Sequence, residues 1–251
     1  MSQSLIRFSI PFISGLFSVA LFSCNSSKEE GGVSISDQIS SYVAANGALT
    51  EEQMKLAKME IKRSEDSLSD GCLVLRSDND YESLTLMNFS KREKLYSHAG
   101  IVFKEDSGWM VYHSMTGVEN PSGAVRKDPY SSFVDPDKKT GFGLYRYAIS
   151  SDEIQKLHEQ FKAGLAKKIP FDIRFNLLTD DSMYCSEMIY KSLRKVTDGR
   201  VVLPTSTIRN FKPKIMGYKL NHVFFKRFDY VGLDDLYLNP YCKKIMSAKY
   251  N

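Results

Sequence analysis

The chain has 251 residues, of which 42% are hydrophobic and 25% charged, so it can build one large domain or two small ones around a sizeable core. Its formal net charge is only +4, and its lysines and arginines occur in runs of at most two. This scatter indicates a solvated surface, so we expect no nucleic-acid partner. Zinc-type Cys/His spacings and phosphate-binding glycine loops are missing, so neither a metal nor a cofactor is expected.

The N-terminus has the pattern of an export signal. Arg7 precedes an apolar run over 8–22, which is the length of a signal-peptide core and short for a spanning helix. The run ends in Leu21-Phe22-Ser23-Cys24, which resembles the bacterial lipobox. We therefore predict a lipoprotein signal peptide over 1–23 and acyl chains on Cys24 that anchor the protein to a membrane. An ordinary signal peptide with a chance cysteine is the alternative.

The next segment, 24–48, is rich in Ser, Gly and Glu and is predicted to be a flexible tether. The remaining residues, 49–251, are predicted to form a single domain. With a lipid anchor, that domain would lie in the bacterial cell envelope, on the outer membrane and facing the periplasm or the cell surface.

The domain should begin with a helix. Thr50-Glu51-Glu52-Gln53 fits a capping box, which marks a helix start. Met54, Ile61 and Leu68 recur at heptad spacing, and Met59 falls close to the same face. The pattern predicts a helix that packs through one apolar stripe.

Short apolar runs then predict β-strands at 71–76, 98–103 and 109–113. The second and third are joined by a short polar linker that ends in glycine, so they should form an antiparallel hairpin. A loop rich in Gly, Pro, Asp and Ser is expected over 116–141, followed by a fourth strand at 144–148.

Helical patterns dominate the second half. A capping box at Ser150 opens a helix whose apolar stripe leaves His158 on the solvent side; the stripe comprises Ile154, Leu157, Phe161 and Leu165. A further helix begins near Cys185, with a buried face of Met188, Ile189, Leu193 and Val196. A short helix starts at Asp234. Helices and a small antiparallel sheet in separate blocks indicate an α+β domain.

Cys185 stands out by its position. It follows the turn-forming residues 179–182 and lies at a helix start, where free N–H groups and a partial positive charge stabilise a thiolate. Cys72 lies inside an apolar strand and Cys242 near the C-terminus, so neither has such surroundings. These two could form a disulfide, although free thiols are favoured.

A cysteine nucleophile needs a base, and the base needs a partner that orients it. His98 opens one strand of the predicted hairpin and His113 closes the other. Both therefore lie at the same end of the sheet, as cross-strand neighbours. His158 and His222 have no such arrangement and are expected to be structural.

Three motifs together resemble the YiiX/YebB-like cysteine hydrolases, the circularly permuted branch of the NlpC-type papain-like superfamily. They are Gly71-Cys72-Leu73-Val74, Ser97-His98-Ala99-Gly100-Ile101-Val102 and Tyr184-Cys185-Ser186-Glu187-Met188-Ile189-Tyr190. The resemblance implies a permuted papain-like fold in which His98 is the base and Cys185 the nucleophile. It places His113 third, where many relatives carry a carboxylate.

The chemistry implied by the resemblance is acyl transfer through an acyl-enzyme. A cell-envelope amidase acting on peptidoglycan peptides is the favoured function. The alternatives are a lipid acyltransferase or thioesterase of the lecithin:retinol acyltransferase-like type, and a lipid-anchored binding module without turnover. The expected partners are a peptide or acyl substrate and the membrane, and the protein is expected to be monomeric.

Overall fold

The computed structural model describes residues 20–22, 49–78, 83, 86–117, 120–211, 213–215, 218–219 and 225–250. The predicted lipidation site Cys24, the tether, His222 and all of the predicted signal peptide except residues 20–22 lie outside these ranges. No helix in the described part of the chain is long and apolar enough to cross a membrane.

The centre of the fold is a six-stranded antiparallel sheet with the strand order β11-β6-β2-β3-β4-β5. Its strands are β2 (Cys72–Asp78), β3 (His98–Glu105), β4 (Gly108–Ser114), β5 (Val125–Pro129), β6 (Lys139–Tyr147) and β11 (Cys242–Lys249). Outside it, two smaller sheets contain β1 (Ala20–Phe22), β7 (Ser206–Phe211), β8 (Pro213–Ile215), β9 (Tyr218–Lys219) and β10 (Phe225–Tyr230). The predicted hairpin is confirmed as β3 and β4.

In the part of the chain that the structure describes, the helices with defined bounds are α1 (Glu51–Glu65), α2 (Tyr130–Phe133), α3 (Ser151–Ala166), α4 (Cys185–Val196) and α5 (Leu233–Tyr237). Thr50 and Ser150 cap α1 and α3 through the predicted capping boxes. The predicted apolar face of α4 is buried as expected. These observations confirm the α+β class, with a sheet larger than the four strands predicted.

The two faces of the sheet carry separate cores, because successive strand residues point to opposite sides. On one face, Leu73, Ala99 and Ile101 pack with apolar residues of α3, α4 and α5. On the other, Val74 and Val102 pack with residues of α1 and α2.

The two cysteines of the open disulfide question lie in different cores. Cys72 belongs to the core under α1 and α2, and Cys242 to the core under α3, α4 and α5. Both are free and buried. The preference for free thiols is confirmed.

Three local predictions are wrong. The segment 116–141 is not one loop, because it contains β5, α2 and the start of β6; β5 is an edge strand with a single buried apolar side chain, so it lacks an apolar pattern. Met59 is exposed, whereas Ala57 and Ser64 of the same helix face the core. His158 is not simply on the solvent side, since its ring stacks on Phe103 with centroids 4.1 Å apart.

Candidate active site

Cys185 is the first residue of α4, and the residues on either side of it are fixed to one distant residue. The Tyr184 hydroxyl accepts a hydrogen bond from the backbone N–H of Val231 at 2.9 Å. The Ser186 hydroxyl donates to the backbone carbonyl of Val231 at 2.8 Å. We call these two bonds the Val231 clamp. Because it holds both neighbours of Cys185, the clamp fixes where the helix start lies.

Glu187 completes the role of the Tyr-Cys-Ser-Glu motif. Its carboxylate accepts the backbone N–H of Tyr184 at 3.2 Å and lies 2.9 Å from the Lys191 ammonium. The side chain is fully buried, and burial raises the pKa of Glu187 to about 7 although Lys191 opposes the shift. The bond to Tyr184 N–H satisfies a donor that a helix start leaves open. Tyr184, Ser186 and Glu187, the three residues around the cysteine in this motif, thus all help to position Cys185.

Cys185 is only 7% exposed, and this burial corrects the prediction about the acidity of its thiol. Burial raises the pKa of Cys185 to about 11, and it outweighs the backbone N–H groups of Ala99, Ser186 and Cys185 that lower this pKa. The helix start acts in the predicted direction, but desolvation of the thiolate is the larger effect. The resting cysteine is therefore a thiol, and the predicted role as nucleophile would require a base.

The two histidines of the hairpin are in direct contact. Nε2 of His98 lies 2.9 Å from Nδ1 of His113, and Nε2 of His113 lies 3.0 Å from Oδ2 of Asp128. His98 and His113 are both buried. The three side chains come from β3, β4 and β5 and form a continuous hydrogen-bonded chain, which we call the His–His–Asp chain.

A glycine makes this contact possible. Gly100 is the glycine of the Ser-His-x-Gly motif, and its strand position is next to that of His113 in the hairpin. A Cβ on Gly100 would lie 2.5 Å from Cγ1 of Val111 and 3.2 Å from Cβ of His113. A larger residue would push His113 away from His98, so the motif glycine reserves space for the second ring.

Burial is the main influence on the charge states of the two histidines in the His–His–Asp chain. It lowers the pKa of His98 well below its ordinary value and that of His113 to about 4. Burial works against ionisation of Asp128, but hydrogen bonds from His113 and Arg126 and their charges lower its pKa overall. At neutral pH the site therefore holds two neutral imidazoles and one carboxylate.

Arg76 faces His98 across the sheet as its cross-strand partner. Its guanidinium lies over the Phe133 ring, 4.6 Å from the centroid, and 3.4 Å from the carboxylate of Asp78. The centroid of Phe133 is 5.7 Å from that of His98. Asp78 also pairs with Lys139 at 2.9 Å. His98, the predicted base, thus lies between an aromatic ring and a buried cluster of ionic side chains.

The structure brings His98 and His113 into contact and places Cys185 beside β3, the strand that carries His98. The backbone N–H of Ala99, the residue after His98, acts on the Cys185 thiol, and Arg76 acts electrostatically on both Cys185 and His98. Among the described hydrogen bonds, none joins the thiol to the His98 ring. Hydrogen bonds of this kind are often long in a protein without substrate.

Sequence reasoning missed Asp128, Arg126 and Arg76. Asp128 fell in the segment interpreted as a loop, so no strand placed it beside His113. Arg76 had a usable signal, since it is a charged residue at the end of the predicted apolar strand 71–76; the structure pairs it with His98. A charged residue in a buried strand indicates a polar site.

The fold and the site define the class, which is that of the papain-like amidases with a permuted chain order. The chain belongs to the permuted papain-like amidase family YaeF/YiiX, C92, whose model matches residues 68–224. This confirms the predicted family and the predicted fold.

A solved structure gives the same fold. The structure of YiiX from Escherichia coli O157:H7 is similar over 72% of this chain and 98% of its own, with a TM-score of 0.56 and 17% sequence identity. YiiX is described there as a metalloprotein. In the described part of this chain, no group of three or more His, Cys, Asp or Glu side chains is arranged to hold a metal ion. Among curated proteins, none matches this chain.

Proposed function

We propose that the protein is a cysteine amidase of the bacterial cell envelope that acts through an acyl-enzyme on Cys185. His98 is the base, and His113 orients it. The observation that carries the proposal is the hydrogen bond between the two buried rings, beside the helix start that presents the cysteine. Membership of an amidase family supports the reaction type.

The first half of the reaction forms the acyl-enzyme. Nδ1 of His98 takes the thiol proton as Sγ of Cys185 attacks the amide carbonyl, and a C–S bond forms. The N–H groups at the start of α4 stabilise the oxygen that becomes negative. The C–N bond then breaks, and the protonated His98 gives its proton to the departing amine.

The second half restores the enzyme. A water molecule loses a proton to His98 and attacks the thioester carbonyl, and the C–S bond breaks. The thiolate regains the proton from His98, and the acyl part leaves as a carboxylic acid. The sum is one amide and one water giving one acid and one amine.

Location and substrate rest on the N-terminal sequence and on the family resemblance. A lipid anchor at Cys24 would hold the domain in the envelope, where peptidoglycan peptides are the abundant amides. A histidine as the orienting residue also fits the acyltransferase-like alternative, with lipid esters or amides as substrates.

The test is to incubate the purified protein with muropeptides and, separately, with lipid extracts, and to identify products by mass spectrometry. The Cys185→Ala variant is the matched control. We expect cleaved muropeptides with the natural protein and none with the variant. Cleavage of lipids alone would move the protein to the acyltransferase-like class. No product from either mixture would indicate a binding module.

A further inference from the structure

The His–His–Asp chain determines which nitrogen of His98 is basic. A carboxylate only accepts hydrogen bonds, so Asp128 requires a proton on Nε2 of His113, 3.0 Å away. A neutral imidazole carries one N–H, which leaves Nδ1 of His113 as an acceptor. Across the 2.9 Å contact, Nε2 of His98 must then be the donor. The lone pair of His98 therefore lies on Nδ1, the nitrogen that the reaction needs.

We propose that Asp128 and Arg126 are positioning residues that set the proton position on His98 through the intervening ring of His113. This inference rests on the proposed function of Cys185 and His98. It adds a fourth and a fifth member to the site, both from β5, the strand next to the one that carries His113.

Arg126 fixes the orientation of the Asp128 carboxylate. Its Nε donates to Oδ1 of Asp128 at 3.0 Å, and its Nη2 donates to the same oxygen. The other oxygen, Oδ2, is the one that faces His113. A guanidinium is a donor at every nitrogen, so the oxygen beside it must accept. The arginine therefore distinguishes the two ends of the carboxylate.

This asymmetry makes Asp128→Asn more damaging than the loss of the side chain. In the asparagine variant the amide oxygen stays on Arg126, so the NH₂ group points at His113. Nε2 of His113 must then accept, its Nδ1 becomes the donor, and Nε2 of His98 becomes the acceptor. The proton of His98 moves to Nδ1, and the base is lost. Alanine imposes no tautomer on either ring.

The experiment compares kcat/KM of Asp128→Asn, Asp128→Ala and Arg126→Ala combined with Asp128→Asn. We expect Asp128→Asn to lower kcat/KM by roughly 10²–10⁴-fold, as the loss of a correctly protonated base does. Asp128→Ala should retain at least about ten times more activity than Asp128→Asn. Removing Arg126 frees the amide to rotate, so the double variant should recover toward the alanine value. Equal activities of the asparagine and alanine variants would overturn the proposal.

A second readout does not depend on turnover. The ¹⁵N chemical shifts of the histidine rings at neutral pH report which nitrogen carries the proton. We expect Nε2–H tautomers for His98 and His113 in the natural protein and Nδ1–H tautomers for both in Asp128→Asn. A natural protein with Nδ1–H on His98 would refute the proton assignment even if turnover is normal. Correct tautomers in a protein without amidase activity would refute only the proposed function.

Discussion

The two halves of the site are built in different ways. The strand half, which is proposed to handle protons, consists of side chains on three adjacent strands, joined ring to ring and ring to carboxylate. The helix half, which carries the proposed nucleophile, is a helix start held by the Val231 clamp and by Glu187. Strand register fixes the first half, whereas contacts with a segment far along the chain fix the second. Each half can therefore be disturbed while the other stays in place.

Removing the nucleophile should have the largest effect. Cys185→Ala deletes the only atom that can form the proposed acyl-enzyme, so turnover should fall by about 10³-fold or more, to background. Cys242→Ala is the matched control, because it removes a second buried thiol in the same core and should leave turnover in place. The measurement is release of amine from a substrate found by the mass-spectrometric screen. A fully active Cys185→Ala would eliminate the mechanism.

Acid should disable the strand half. The pKa of His113 is lowered to about 4, chiefly by burial, and Arg76 and Arg126 act in the same direction while Asp128 opposes them. As the pH falls through about 4, His113 gains a proton, both its nitrogens become donors, and Nε2 of His98 must accept. Activity should therefore be retained at pH 6 and lost near pH 4. An acid limb of kcat/KM near 6.5, the ordinary histidine value, would contradict this expectation.

The free energy of unfolding should also depend on the protonation of His113. Unfolded His113 binds a proton below its ordinary pKa of 6.5, and the folded residue binds it only near 4. The unfolded state therefore binds more protons between these values, so the free energy of unfolding should decrease as the pH falls from 6.5 to 4. Urea titrations across this range measure the decrease. His113→Gln should show a smaller one, because glutamine does not titrate.

Sequence reasoning found the candidate residues of both halves, Cys185 in one and His98 and His113 in the other. It missed Asp128, the carboxylate that completes the strand half. Local signals sufficed to select Cys185 as the candidate nucleophile, because a helix start is visible in the turn residues before it. The pairing of His98 with His113 followed from a short hairpin. Asp128 depended on the pairing of β5 with β4 across a connection that includes residues 115–124, and β5 has almost no apolar pattern. The raised pKa of Cys185 depended on the burial of this helix start in the folded core, which no sequence motif encodes.

Filling the space at the motif glycine should disturb the strand half through packing. In Gly100→Ala the new methyl group meets Val111 and the backbone oxygen of Tyr112, at 2.5 and 2.9 Å. Overpacking of this kind costs about 1–3 kcal/mol of unfolding free energy. Chemical denaturation measures it. Gly164→Ala in α3 is the control, because its Cβ would lie 3.6 Å from Ile169, an ordinary contact, and alanine favours the helix. Equal stability of the two variants would show that the strand at Gly100 can adjust.

Loosening the Val231 clamp should reduce turnover less than Cys185→Ala or acid does, and it should act on the helix half alone. Ser186→Ala removes one of the two bonds to Val231 and leaves a buried carbonyl unpaired, which costs about 1–3 kcal/mol of stability. The helix start gains freedom, so kcat should fall by several-fold while the tautomers of His98 and His113 stay unchanged. Ser192→Ala, on the same helix but only partly buried, is the matched control. If Ser186→Ala altered the ring ¹⁵N shifts, the two halves would not be independent, because a change at the helix start would then reach the proton-handling strands.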